Sequence, residues 1–187
     1  MKKNTTESHP KISAYDRILL TAHDLFYKKG IRATGIDLII KEAGVSKVTF
    51  YRQFPSKNAL ILAFLDYRHQ KWMTWFKGSI QALGNSPKAL VSALEKWFKD
   101  EHYRGCAFIN SVVELGSSLP EVMDISTRHK QDMTDFIESL LPKSNHAKQN
   151  ALAISLAIDG AIIRAQFEQN SESALQSFNV ILQSLWK

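Results

Sequence analysis

The chain has 187 residues, 44% apolar and 22% charged, so it is globular and long enough for one sizeable core or two small ones. Cys106 is the only cysteine, which excludes an intrachain disulfide and a cysteine metal cluster. Six scattered histidines lack ligand spacing, so no metal and no cofactor is expected. The net charge of +6 is segregated: residues 1–60 carry 11 Lys and Arg against 5 Asp and Glu, whereas residues 61–187 carry 13 of each. Positive charge confined to one end is what release of counterions from a phosphate backbone requires, although a basic solvated surface has the same composition.

The opening MKKNTTESHPK has two lysines but no apolar core after them, so it reads as a flexible basic arm over residues 1–10 rather than a secretory signal. No uncharged apolar run approaches the ~18–20 residues of a membrane helix. A cytoplasmic protein with no membrane partner is expected. Ser13 to Lys29 follows as an amphipathic helix with Ile18, Ala22, Leu25 and Phe26 on one face and Gly30 past its end.

Thr34 to Lys57 is the most specific stretch. Ile36, Ile39, Ile40 and Ala43 recur at helical spacing, with Thr34 as a natural N-cap and Gly44 as a left-handed stop. Ser46 caps a second short helix whose anchors are Tyr51 and Phe54, and Pro55 stops it. Two short helices joined at a capped turn make a helix-turn-helix. Ser56 then caps a long helix to about Leu83, carrying Leu60, Phe64, Tyr67, His69, Trp72, Trp75, Phe76 and Ile80.

Ser86-Pro87 predicts a restart through Trp97 and Phe98 to about Glu101. Cys106 to Leu115 has a strand-like apolar run with two valines, but no partner strand exists elsewhere, so it is read as helix. Pro120 opens a helix through Met123, Ile125, Met133, Phe136, Ile137 and Leu140, and Ser144–Gln169 and Ser171–Trp186 supply two more. The chain is therefore all-α, with about nine helices.

In a helix-turn-helix the start of the second helix enters the major groove, so Lys47, Val48, Thr49 and Gln53 are candidates for base contact. Lys47 suits guanine O6 or N7, and Gln53 pairs bidentately with adenine. Thr34, Tyr51, Arg52 and Lys57 are candidates for phosphate contact, through hydroxyl, cation or free N–H groups at helix starts, and Ser46 opens the groove-facing stretch that runs to Gln53. Thr34 and Ser46 as plain caps, and Tyr51 as a core anchor, are the structural alternatives.

Thr34, Ile36, Ile39, Ala43-Gly44-Val45-Ser46, Thr49, Tyr51, Phe54, Ser56-Lys57 and Leu60 resemble the DNA-binding domain of the TetR family of bacterial transcriptional regulators. Arg104 to Asn110 with Glu114 is similar to a stretch of some members' effector domains. The resemblance implies a DNA-binding domain over residues 11–57 and a ligand-binding and dimerisation domain over residues 58–187. It also implies a homodimer on double-stranded DNA at a palindromic operator, and a repressor released by a small-molecule effector. Two positions depart from the family pattern: Ile40 stands where Ala is usual, and Val48 where a small residue is common, which lets its methyls meet a thymine methyl. An activator of the same fold, or a helical binding module without DNA function, are the alternatives.

The effector pocket is expected among Trp72, Trp75, Phe76, Trp97, Phe98 and Phe108, with His69, His102, Asn110, Glu114 and Arg128 as polar candidates. The alternative is a solid aromatic core with the polar groups outside it. Cys106 is a redox sensor or, more simply, a small buried hydrophobe. Ile154, Ile158, Ala161, Ile162 and Ala165, with Phe178, Ile181, Leu182 and Leu185, are the expected dimer seam, unless one subunit consumes both stripes. Glu114, Asp159 and His102 could be imagined as acid-base groups, yet no motif pairs a nucleophile with a base and no glycine-rich phosphate loop exists, so an enzyme is not expected.

Overall fold

A computed structural model describes residues 12–168 and 170–186. The basic arm expected over residues 1–10 lies outside them. Among the described residues there are nine α-helices: α1 (Ala14–Lys29), α2 (Ile36–Ala43), α3 (Lys47–Gln53), α4 (Lys57–Ala82), α5 (Ala89–Phe98), α6 (Ala107–Leu115), α7 (Glu121–Leu140), α8 (Ala147–Phe167) and α9 (Glu172–Leu185). The valine-containing run after Cys106 is helix. The chain divides into two compact units, one ending at Phe64 and the other beginning at Leu65, with α4 contributing its first turns to the former.

In the first unit α1, α2 and α3 pack on one another around Ile18, Ala22, Ile39 and Phe50, which are all fully buried. Ser13 caps α1 by accepting the Asp16 N–H at 3.0 Å. Ser46 does the same for α3, accepting from Thr49 N at 3.1 Å, and Ser56 opens α4 by accepting from Ala59 N at 3.1 Å. Gly44 closes α2 with φ 61°, the left-handed conformation that a Cβ disfavours.

The cap of α2 differs from expectation. Gly35 holds the N-cap position without a side-chain bond, while Thr34 is fully buried with its hydroxyl donating to the Gly30 carbonyl at 2.8 Å. A buried hydroxyl needs an acceptor for its proton, and the Gly30 carbonyl just past α1 supplies it.

In the second unit α7 packs on α6 and α8, and α9 packs on α5 and α8. The Asn150 amide donates to the Leu185 carbonyl at 2.9 Å, satisfying a carbonyl at the end of α9, and the Tyr103 hydroxyl donates to the Ile162 carbonyl of α8 at 2.8 Å. α5 begins later than Ser86-Pro87 suggested, because Ala89 N and Leu90 N first close tight turns onto the Ser86 and Pro87 carbonyls. It also stops at Phe98, where Lys99 N donates to the Glu95 carbonyl.

Candidate DNA-binding and effector sites

α3 is seven residues long and is held from behind. Phe50 is fully buried, Phe54 stacks on Tyr15 with ring centroids 4.8 Å apart, and the Arg17 guanidinium donates from Nη1 to the Ala43 and Gly44 carbonyls, both at 3.1 Å. Arg17 thus ties α1 to the turn between α2 and α3 through charge-assisted bonds. Nothing in the helical pattern marks it, because a carbonyl partner 26 residues away leaves no local signal.

With that side anchored, the other side of α3 faces outward. Lys47 and Arg52 are exposed, Val48 is 77% exposed, Tyr51 is 42% exposed, and Thr49 and Gln53 are half-buried. A valine this exposed contributes nothing to the core of the unit, which leaves its methyls for an outside partner. Ser46 is exposed but its hydroxyl is engaged with the Thr49 N–H and hydroxyl. Thr34 is corrected: fully buried and bonded to Gly30, it presents no hydroxyl to a phosphate. Lys57 is half-buried, its ammonium 2.6 Å from the Ile31 carbonyl and 5.9 Å over the Phe26 ring, so it clamps the start of α4 to the loop after α1.

The second unit contains a cavity of about 10 Å³, room for one water-sized group. Trp72, Trp97, Phe108 and His129 supply its rings, and Arg68, Lys130, Cys106 and Met133 are among its other walls. Trp72 stacks on Phe76 at 4.5 Å and meets Trp97 edge-on at 5.6 Å, while Trp75 lies half-buried 6.3 Å from each of Trp72 and Trp97. Phe98 is buried against Trp97 and Tyr103.

Of the expected polar residues, His69 reaches this region indirectly through His129. The Asn110 amide donates to the Arg104 carbonyl at 3.0 Å, and Glu114 is half-buried on α6; neither lines the cavity. His102 and Arg128 are corrected. The His102 side chain is 79% exposed beside Glu101, and Arg128 is exposed in an ion pair with Asp66. Their polarity made both candidates for the pocket, but position along the chain does not say which face of the fold they take.

His129 is the residue that sequence reasoning missed. It is buried, stacked on Phe108 at 3.7 Å and 14°, with its Nδ1 3.1 Å from Nδ1 of His69. Asp132 faces Nε2 of His69 at 3.3 Å, which favours a proton there and makes His69 Nδ1 the acceptor of the His129 Nδ1–H. Burial first, then the charges of Lys130, His69 and Arg68, hold the His129 pKa at about 2 against an ordinary 6.5. Its signal was its place four residues from Ile125 and from Met133 on the apolar stripe of α7.

A histidine kept neutral when folded takes up a proton only on unfolding, so its stabilisation is complete above pH 6.5 and is lost as pH falls from there toward 2. Between pH 6.5 and 5 this amounts to about 2 kcal/mol. Denaturant melts of the wild type and His129→Phe across that range should differ in slope, the variant being the flatter; parallel slopes would refute the assignment.

A groove of about 450 Å³ lies beside this cluster, lined by His69, Met73, Lys77, Asp132, Asp135, Phe136 and Ser139. Among the described residues no group of three or more His, Cys, Asp or Glu could hold a metal ion. No helix of the described residues is long and apolar enough to cross a membrane.

The last two helices expose a stripe other than the expected one. Ile154, Ile158, Ala161, Ile162, Phe178 and Leu182 are buried inside the chain itself, Ala165 and Leu185 are half-buried, and only Ile181 is exposed. These stripes are therefore consumed within one subunit. On the opposite side of α8, Leu152, Leu156, Ile163 and Phe167 are exposed at spacings of four, seven and four, and Val180 and Ile181 are exposed on α9. α8 is apolar over much of its circumference, which hid the second stripe behind the first.

An anchored short helix with an outward basic and apolar face, joined to a helical unit with an aromatic cavity, defines a helix-turn-helix transcriptional regulator. Residues 18–64 match the profile of bacterial regulatory proteins of the tetR family. A transcriptional regulator from the lacX 3' region of Lactococcus lactis subsp. lactis is 28% identical over 185 residues, 92% of this chain and 93% of the relative. YuxN of Bacillus subtilis is 42% identical over 128 residues, 66% of this chain and 43% of the relative, so the chain spans less than half the length of YuxN. Among solved structures, the TetR-family regulator SCO4454 from Streptomyces coelicolor superposes with a TM-score of 0.82 at 26% identity, covering 93% of this chain and 96% of that one. The chain belongs to the TetR family of transcriptional regulators, non-catalytic DNA-binding proteins that generally act as dimers and respond to ligands.

Proposed function

We propose that this chain is a repressor that binds a palindromic operator as a homodimer in the cytoplasm and is released by a small-molecule effector. The observation that carries the DNA reading is α3, with Lys47, Val48 and Arg52 exposed on a helix anchored by Phe50. The basic excess of residues 1–60 supports it. Lys47, Val48, Thr49 and Gln53 read base edges, Val48 against a thymine methyl, while Arg52, Tyr51 and Lys57 position the backbone.

Arg52→Ala is expected to weaken binding alike on all sequences and to reduce the salt slope by about one unit. Lys47→Ala should instead cost about 1–3 kcal/mol at the operator and leave non-specific binding nearly unchanged. Fluorescence anisotropy over a salt series, on operator and random duplexes, separates the two; identical behaviour of both variants would remove Lys47 from base reading. A promoter reporter in which deletion of the gene raises transcription supports repression, and a fall would assign activation.

The exposed stripe of α8 with Val180 and Ile181 is the dimer face, and the aromatic cavity of the second unit is the effector site. A coupling of ~1–3 kcal/mol between ligand and operator suffices for ~5–150-fold release. The carrier is α4, which begins with Lys57 in the DNA-binding unit and continues to Trp72 and Phe76 beside the cavity.

A further inference from the structure

The cavity among α4, α5, α6, α7 and α8 has an unusual donor and charge balance. Trp72 lines it, is buried, and its indole N–H has no acceptor. A buried donor without a partner is destabilising, and an acceptor inside the cavity would relieve it. The cations Arg68 and Lys130 both line the cavity, and no Asp or Glu does; both are engaged by the protein, Lys130 by Asp159, which lies outside the lining. His129, also in the wall, is neutral when buried and adds no charge of its own. By contrast, the neighbouring groove carries Asp132 and Asp135 against the single cation Lys77, so a cationic ligand would favour the groove over the cavity.

We propose that the effector is a small aromatic acid, whose carboxylate accepts the Trp72 indole N–H in the field of Arg68 and Lys130. The inference rests on reading this cavity as the effector site and names the chemistry it selects. The present volume admits one oxygen-sized group, so the ligand's ring enters by parting Trp72, Trp97 and Phe108. That displacement gives the ligand different contacts in the two states, which is the condition for shifting their populations. An aliphatic acid would leave these rings without a stacking partner.

The test uses the full chain and three probes that share a phenyl ring and one carbon but differ in charge: benzoate, benzyl alcohol and benzylamine. Isothermal titration is expected to show benzoate binding at least about 10-fold more tightly than the other two. Trp72→Phe keeps a ring and removes the N–H, and Arg68→Gln removes a charge without touching Trp72. Each is expected to weaken benzoate about 10-fold and to leave benzyl alcohol unchanged, with melting temperature checking that both variants are folded. Equal binding of all three probes, or preference for benzylamine, overturns the acid while leaving the cavity as the effector site. Benzoate binding that neither variant weakens also overturns it. Absence of binding by all three overturns the proposal together with the effector-site reading.

Discussion

Leu156→Arg is expected to convert a dimer into monomers and to lower affinity for a two-half-site operator by about 100-fold or more, the loss that follows when two linked binding events become one. Leu156 is 64% exposed at the centre of the stripe formed by Leu152, Ile163 and Phe167. Large apolar side chains in a row on an exposed helix face are covered in a working protein, and in a two-fold dimer the same row on a second copy covers them. An arginine there would place a charge in an apolar interface without a partner. Light scattering and operator titration check it together. A variant that remains dimeric, with operator affinity unchanged, would move the interface elsewhere. Ile154→Arg, by contrast, should unfold the chain rather than dissociate it, since Ile154 is fully buried within the subunit.

Phe50→Ala is expected to cost about 3–5 kcal/mol, a large part of what a small unit has in total. Phe50 is fully buried and lies in edge contact with Tyr51 and beside Phe54, so its ring holds the inner side of a helix only seven residues long. A helix this short has little stability of its own. Loss of the ring therefore removes both the packing and the reason α3 is helical, and operator binding should disappear with it. Urea melts followed by circular dichroism give the stability change. A shift below about 1 kcal/mol would show that Arg17 and the Phe54–Tyr15 stack hold α3 without Phe50. Val48→Ala on the outer side of the same helix should leave the melt unchanged, because Val48 makes no core contribution there.

The DNA-binding unit was largely legible in the chain because its signals are local. Ser13, Ser46 and Ser56 accept the helix-start amides three residues on, and Gly44 takes its left-handed turn for reasons contained in a few residues. Thr34 shows where locality fails. It has the chemistry of a cap, but α1 returns the Gly30 carbonyl to its hydroxyl, and only the packed chain decides between two acceptable partners.

The second unit was legible as helices and much less so as a site. His129 gains its character from Phe108 on α6 and from His69 and Trp72 on α4, segments distant from it in the chain, so no spacing announces it. His102 and Arg128 look equally polar in the sequence yet face outward.

What the sequence by itself determined is the helical class, the capped turn and the basic end, since periodicity, capping and charge depend on neighbours along the chain. Only the tertiary structure decided which of the two apolar stripes of α8 is buried, because one helix can pack a subunit core with either face. It likewise decided which rings enclose the cavity and which hydroxyls and cations are already engaged, since those depend on partners brought together from distant parts of the chain.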